Sequence, residues 1–173
     1  MVSQIRELKA AGADGFVIGC LTADGNLDFS ALELLIAAAD GAGLTLHRCI
    51  DVSRDPLQTY LDAAKLGIDT VLTSGAAASC MLGIETIKAM LDLRDAKNGP
   101  EVLIGAGVKV SNTQALIEKL PNSRAFHSSC KEMVESKMCF RRADVPMGLP
   151  GLDEWHIQQT DEQQVSFLKE ALN

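Results

Sequence analysis

Residues 44–75 read LTLHRCIDVSRDPLQTYLDAAKLGIDTVLTSG, and this stretch decides the fold. It opens on Leu44-Thr45-Leu46-His47-Arg48-Cys49-Ile50, an apolar run with strand character. Asp55 then offers an N-cap and Pro56 a first helical position. Leu57, Tyr60, Leu61 and Ala64 recur at i, i+3, i+4 and i+7, and Gly67 closes the helix. Thr70-Val71-Leu72-Thr73 is the next short apolar run, ending in Ser74-Gly75. Strand, helix and strand in so short a span make a β/α unit with parallel strands.

Working outward, the same unit repeats. Gly15-Phe16-Val17-Ile18-Gly19-Cys20-Leu21 precedes it as a strand; Val102-Leu103-Ile104-Gly105 and Ala125-Phe126-His127-Ser128 follow. Asp28 or Ser30 caps a helix carrying Leu32, Leu35, Ile36 and Ala39, and Ile84, Ile87 and Leu91 share a face of another. Ser111 or Asn112 caps a helix that buries Leu116 and Leu120. Thr160-Asp161-Glu162-Gln163 has the form of a capping box before Val165, Leu168 and Leu172. The first ten residues read as the body of a helix stopped by Gly12, so the chain looks cut from something larger.

The expected class is therefore α/β, a TIM-type β/α barrel with five of its eight parallel strands present. A complete barrel takes about 250 residues. Near-continuous apolar strands predict burial on both faces. Residues 1–173 are expected to form one such domain lacking its opening strands. Within it, 131–173 is read as an irregular tail plus a final helix, since Cys130 to His156 has weak periodicity and holds Pro146 and Pro150. The open edges at Gly15–Leu21 and Ala125–Ser129 invite self-association, as a homo-oligomer, or aggregation.

Composition narrows the function. With 47% hydrophobic and 23% charged residues, the chain can bury a core and is not disordered. A net charge of -7 repels phosphate backbones and argues against nucleic acid. No apolar run reaches the roughly 20 residues that span a bilayer, which argues against a membrane partner. The five cysteines are odd in number and form no CxxC pair, which fits a reduced, cytoplasmic setting.

In parallel β/α folds chemistry gathers at the C-terminal strand ends. Here those ends supply His47, Arg48 and Asp51; Thr73, Ser74 and Gly75; Gly105 and Gly107; and His127, Ser128 and Ser129. His47 is the candidate acid/base, with Arg48 or Asp51 orienting a bound carboxylate. The plainer reading is a histidine satisfied by backbone and an Arg–Asp pair that ties strands together. Gly105-Ala106-Gly107 with Ser128-Ser129 suits a small anion held on main-chain N–H groups, or is simply a tight turn. Soft thiolates suit Cu(I), and Cys20 and Cys49 are the candidate ligands, with Cys80 and Cys130 just beyond two other strand ends. Against that, free cysteine usually packs as a small hydrophobe.

Several blocks resemble the CutC copper-homeostasis family: GFVIGCLTADGNLD at 15–28, TLHRCID at 45–51, VLTSG at 71–75, GAGV at 105–108 and FHSS at 126–129. The tail blocks Ser136-Lys137-Met138-Cys139-Phe140-Arg141 and Val145-Pro146-Met147-Gly148 are similar too. The resemblance implies a cytoplasmic, often oligomeric β/α barrel assigned to copper tolerance, binding Cu(I) and carrying an enzyme-like rim pocket. Three departures stand out. The family's opening strands are missing, the cysteines proposed for copper in relatives lie in that region, and Cys49-Ile50 replaces Ala-Phe. Three readings therefore stay open: a Cu(I)-binding copper-homeostasis protein, a barrel enzyme for a small anionic or phosphorylated substrate, and an incomplete barrel without the family activity.

Overall fold

Buried and accessible residues alternate along the strands, and that alternation shows where the helices lie. The computed structural model describes residues 1–172 except 143, 150 and 152. β1 (Gly15–Ile18) buries Phe16 and Ile18, and β2 (Gly43–Leu46) buries Leu44 and Leu46. β3 (Thr70–Thr73) buries Val71 and Thr73, and β4 (Glu101–Ile104) buries Val102 and Ile104. β5 (Ala125–Phe126) is half-buried. All pair in parallel, in the order β1-β2-β3-β4-β5.

The helices are α1 (Val2–Ala10), α2 (Phe29–Ala39), α3 (Pro56–Lys65), α4 (Ile84–Lys97) and α5 (Val110–Lys119). α2 packs on β1 and α4 on β4, burying Leu32, Leu35, Ile87, Met90 and Leu91. The opposite face of the sheet carries Val17, Thr45, Leu72 and Leu103, and Val17 is 65% exposed. Burial on both faces, expected from the apolar runs, is thus realised on one face only. The architecture is five parallel strands of a β/α barrel, with β1 and β5 as the two ends of the sheet.

The capping signals act as read at two helices. Asp28 accepts from the amide of Ala31, and Asp55 accepts from the amides of Leu57 and Gln58 with Pro56 at the first turn. At α5 the start lies earlier than expected: Ser111 and Asn112 sit inside the helix, and the Asn112 side chain accepts from the Lys109 amide.

The chain divides into two units, 1–108 with 114–128, and 109–113 with 129–173. The second holds an antiparallel hairpin, β6 (Lys131–Glu135) with β7 (His156–Thr160), and α6 (Glu162–Leu172). The irregular tail expected there therefore contains a sheet of its own. At α6 the cap is Asp161, which accepts from the Gln164 amide. Every residue of β6 and β7 is exposed, and Leu168 is the buried apolar side chain of that unit among the described residues. Pro150, read as part of the tail, lies outside the described residues.

Candidate functional site at the C-terminal strand ends

Three ladder bonds continue just past the strands and fix one rim. The amide of His47 donates to Ile18 O at 2.9 Å, that of Gly105 to Thr73 O at 2.9 Å, and that of His127 to Ile104 O at 2.8 Å. His47, Gly105 and His127 therefore stand at the same end of the sheet, as parallel strands require. His47 leaves β2 and His127 leaves β5, three strand spacings apart, or about 14 Å along the sheet. The rim thus has two neighbourhoods.

The first lies over β1, β2 and β3. A Cβ built on Gly19 would fall 2.5 Å from His47 Cε1 and 2.7 Å from Cys49 Sγ, so glycine is what lets ring and thiol close over the β1 exit. The Cys49 amide donates to His47 Nδ1 at 3.0 Å. That nitrogen is an acceptor, so in the neutral ring the proton sits on Nε2 and His47 presents a donor. Cys20 follows Gly19, and both Cys20 and Cys49 are half-buried free thiols. Burial pushes the Cys49 thiol up to about 11, and the charge of the neighbouring Cys20 pushes the same way.

Beside them a 3-10 turn, Arg48–Val52, aims Asp51 at the exit of β3. Its carboxylate accepts from Thr73 Oγ1 at 2.6 Å, from the amides of Ser74 and Ala76, and from Arg48 Nε at 2.6 Å. Arg48 reaches on to Ser74 Oγ at 2.9 Å, and Ser74 in turn donates to Ala77 O. Burial alone would raise the Asp51 carboxyl; the donors of Thr73, Arg48, Ala76 and Ser74 outweigh it and hold it below the usual carboxylate range. Asp51, Thr73 and Ser74 are therefore saturated by one another. Gly75, with φ of 74°, crosses the backbone of Gly83 so closely that neither can carry a side chain. Arg48, half-exposed, keeps part of its guanidinium facing outward.

The second neighbourhood lies over β4 and β5. Gly105 is buried against Leu72, and a Cβ there would sit 3.6 Å from His127 Cβ. Ala106 and Gly107 both take positive φ, and Ala106 O accepts from the Cys80 amide. Ser128 donates to Val108 O at 2.8 Å. His127 is exposed. Cys80 is fully buried, and burial raises its thiol, so it is packed away from the rim. Ser129 and Cys130 fall in the second unit, where their carbonyls accept from Thr160 and Asp161 respectively.

Among the described residues no three or more His, Cys, Asp or Glu side chains are grouped to hold a metal ion. Gly19 is the residue whose importance the sequence reading missed. Its signal was an isolated glycine at the end of an apolar run.

A model of the CutC family matches residues 1–132. Curated relatives described as family protein CutC include one from Chromobacterium violaceum, 36% identical over 100% of this chain and 69% of its own length. Another, from Xanthomonas campestris pv. campestris, is 41% identical over 80% of this chain and 56% of its own length. The chain thus spans between 56% and 69% of the length of these two relatives. Among solved structures, a CutC from Streptococcus agalactiae, provisionally described as a copper homeostasis protein, aligns with a TM-score of 0.65 at 26% identity. That alignment covers 72% of this chain and 60% of that one. A structure described as native KDPGal aligns over 99% of this chain and 64% of its own with a TM-score of 0.57, but at 15% identity it speaks for the fold alone. With the family model covering most of the chain and the same five-stranded parallel sheet beneath it, this protein belongs to the CutC family.

Proposed function

We propose that the protein serves copper homeostasis by binding Cu(I) in the cytoplasm, with Cys20 and Cys49 as the thiolate pair. The observation that carries this reading is the approach of Cys49 Sγ to Gly19, the residue next to Cys20, at two adjacent strand exits. Two soft thiolates suit a two-coordinate monovalent copper ion, which needs no third ligand. His47 does not fit as that third ligand while its Nδ1 accepts from the Cys49 amide, because the neutral ring then keeps its proton on Nε2. The description of the Streptococcus agalactiae relative points the same way, and five free cysteines suit a reducing compartment. The test is a competition titration with a Cu(I) chelator under reducing conditions. One equivalent should bind, and Cys20→Ser with Cys49→Ser should abolish it; undiminished binding by the double variant would overturn the reading.

A second reading is favoured by the donor state of His47. Nε2–H and the outward part of Arg48 offer donors to a small anionic or phosphorylated ligand in the first neighbourhood, and the Gly105, Gly107, His127 and Ser128 turn is a separate candidate cradle in the second. In a reaction His47 would act first as a general acid, and Asp51 would position Arg48 instead of touching the ligand. A thermal-shift screen of phosphates and carboxylates tests it: stabilisation lost in His47→Ala supports the reading, and no shift with any ligand sinks it.

A further inference from the structure

We propose that the second unit holds a soft-metal site of its own, in which the thioether sulfurs of Met138 and Met147 take a Cu(I) ion beside the ring of Trp155. The inference shares its metal with the thiol-pair reading but none of its residues, so either can fail alone. It starts from two methionines that no core uses. Met90 is fully buried, whereas Met138 and Met147 are 60% and 87% exposed. Each belongs to one of the two tail blocks, Ser136–Arg141 and Val145–Gly148.

Main-chain bonds bring the two together. β6 and β7 pair as far as Glu135 with His156, and the Ser136 amide then donates to Trp155 O at 2.7 Å. The Met138 amide donates to Ser136 Oγ at 3.2 Å, a turn that keeps Met138 beside the tryptophan. From the other side the Met147 amide donates to Glu154 Oε1 at 2.7 Å, and the Gly148 amide donates to the same oxygen. Met138, Met147, Glu154 and Trp155 consequently line one cavity of about 570 Å³. Methionine is unbranched and turns freely about its side-chain bonds, so two that line one cavity can bring both sulfurs onto one ion.

The chemistry of the lining selects that ion. Thioethers are soft, neutral donors that suit Cu(I), whereas hard divalent cations seek carboxylate and carbonyl oxygen. An indole face attracts cations through its quadrupole, and Trp155 already does so: the Arg141 guanidinium lies 4.9 Å from its ring centroid. Arg142 also lines the cavity, but Asp144 at 2.8 Å offsets its charge, and the Glu154 carboxylate tips the local balance to negative. Nothing here requires the cavity to stay open, since soft sulfur holds copper under cover as well as in water. Two neutral sulfurs lack the charge attraction of two thiolates. A chelator that leaves copper on Cys20 and Cys49 therefore strips it from Met138 and Met147.

Trp155 is the single tryptophan of the chain, so its emission reads occupancy of the site directly. The full chain carrying Cys20→Ser and Cys49→Ser is titrated with acetonitrile-stabilised Cu(I), without oxygen or chelator, and with ascorbate as reductant. Its emission should fall and level off at one equivalent. Met138→Leu and Met147→Leu keep the apolar volume and remove the sulfur. Each should weaken the response at least about tenfold, while Cys139→Ser, next to Met138, should not. In protein labelled with ¹³C at the methionine methyls, the Met138 and Met147 signals should move and that of Met90 should stay. Emission unchanged by a large excess of copper overturns the proposal. So does a response that survives both leucine variants or disappears with Cys139→Ser, because the donor is then not a thioether.

Discussion

The main-chain amide of Cys49 donates to Nδ1 of His47, and this bond dictates the face that the imidazole offers to a ligand. A neutral ring so held carries its proton on Nε2. Long-range ¹⁵N–¹H correlation spectra of the labelled protein at neutral pH should show the Nε2–H tautomer. The opposite tautomer would mean that the bond is absent in solution and that His47 is open as a ligand through Nε2.

Asp51 is expected to act through structure. Asp51→Asn keeps the shape of the side chain and weakens the charge-assisted bonds from Arg48, Thr73, Ser74 and Ala76, costing about 1–3 kcal/mol in urea unfolding. The sign of its pH dependence follows from a folded carboxyl held below its ordinary value. Its contribution is complete above the unfolded value of about 3.9 and is lost as pH falls through the lower folded one. The gap between wild type and variant should therefore narrow in strong acid. A gap constant down to the lowest measurable pH would count against an ionised Asp51 as the anchor.

Thiol reactivity should sort by burial and charge. Cys139 is exposed and Cys80 fully buried, so iodoacetamide followed by peptide mapping should label Cys139 first and Cys80 last. Cys49, pushed up to about 11, stays protonated at neutral pH and gains thiolate about tenfold per pH unit below that value. Its labelling should climb steeply through the alkaline range. Rapid modification of Cys49 at neutral pH would contradict its placement.

Gly19→Ala should disturb the rim without breaking the strand. The added methyl lands on the His47 ring and Cys49 Sγ, an overpacking worth about 1–3 kcal/mol of stability. Cu(I) affinity should fall with it if the thiol pair is the site, because Cys49 must move away from the β1 exit. An unchanged melting temperature would show that ring and thiol yield freely.

Much of this architecture was legible because the residues that drive it are local. Thr70–Thr73 appears as the strand that the sequence predicts, and Asp55-Pro56 starts its helix where the two residues place it. The strand predicted over Leu44–Ile50 stops at Leu46, since Arg48 to Val52 turn into a 3-10 helix that carries Asp51 to a residue 22 positions later. No local pattern announces a bond of that range. The hairpin was hidden for a related reason: Lys131–Glu135 and His156–Thr160 are mostly polar and become strands only through each other. At the rim, the residue types were readable and their state was not. Whether an aspartate greets a ligand or a neighbouring turn depends on which backbone amides a distant loop brings within reach.

The bare hairpin of the second unit carries a kinetic consequence. Two strands exposed on every residue are marginal by themselves in water, so their amides exchange with solvent long before those of the five-stranded sheet. Native-state proteolysis should accordingly begin near Lys131 or Lys137, trimming the molecule from that side while Val71, Val102 and Ile104, all fully buried, remain protected to the last.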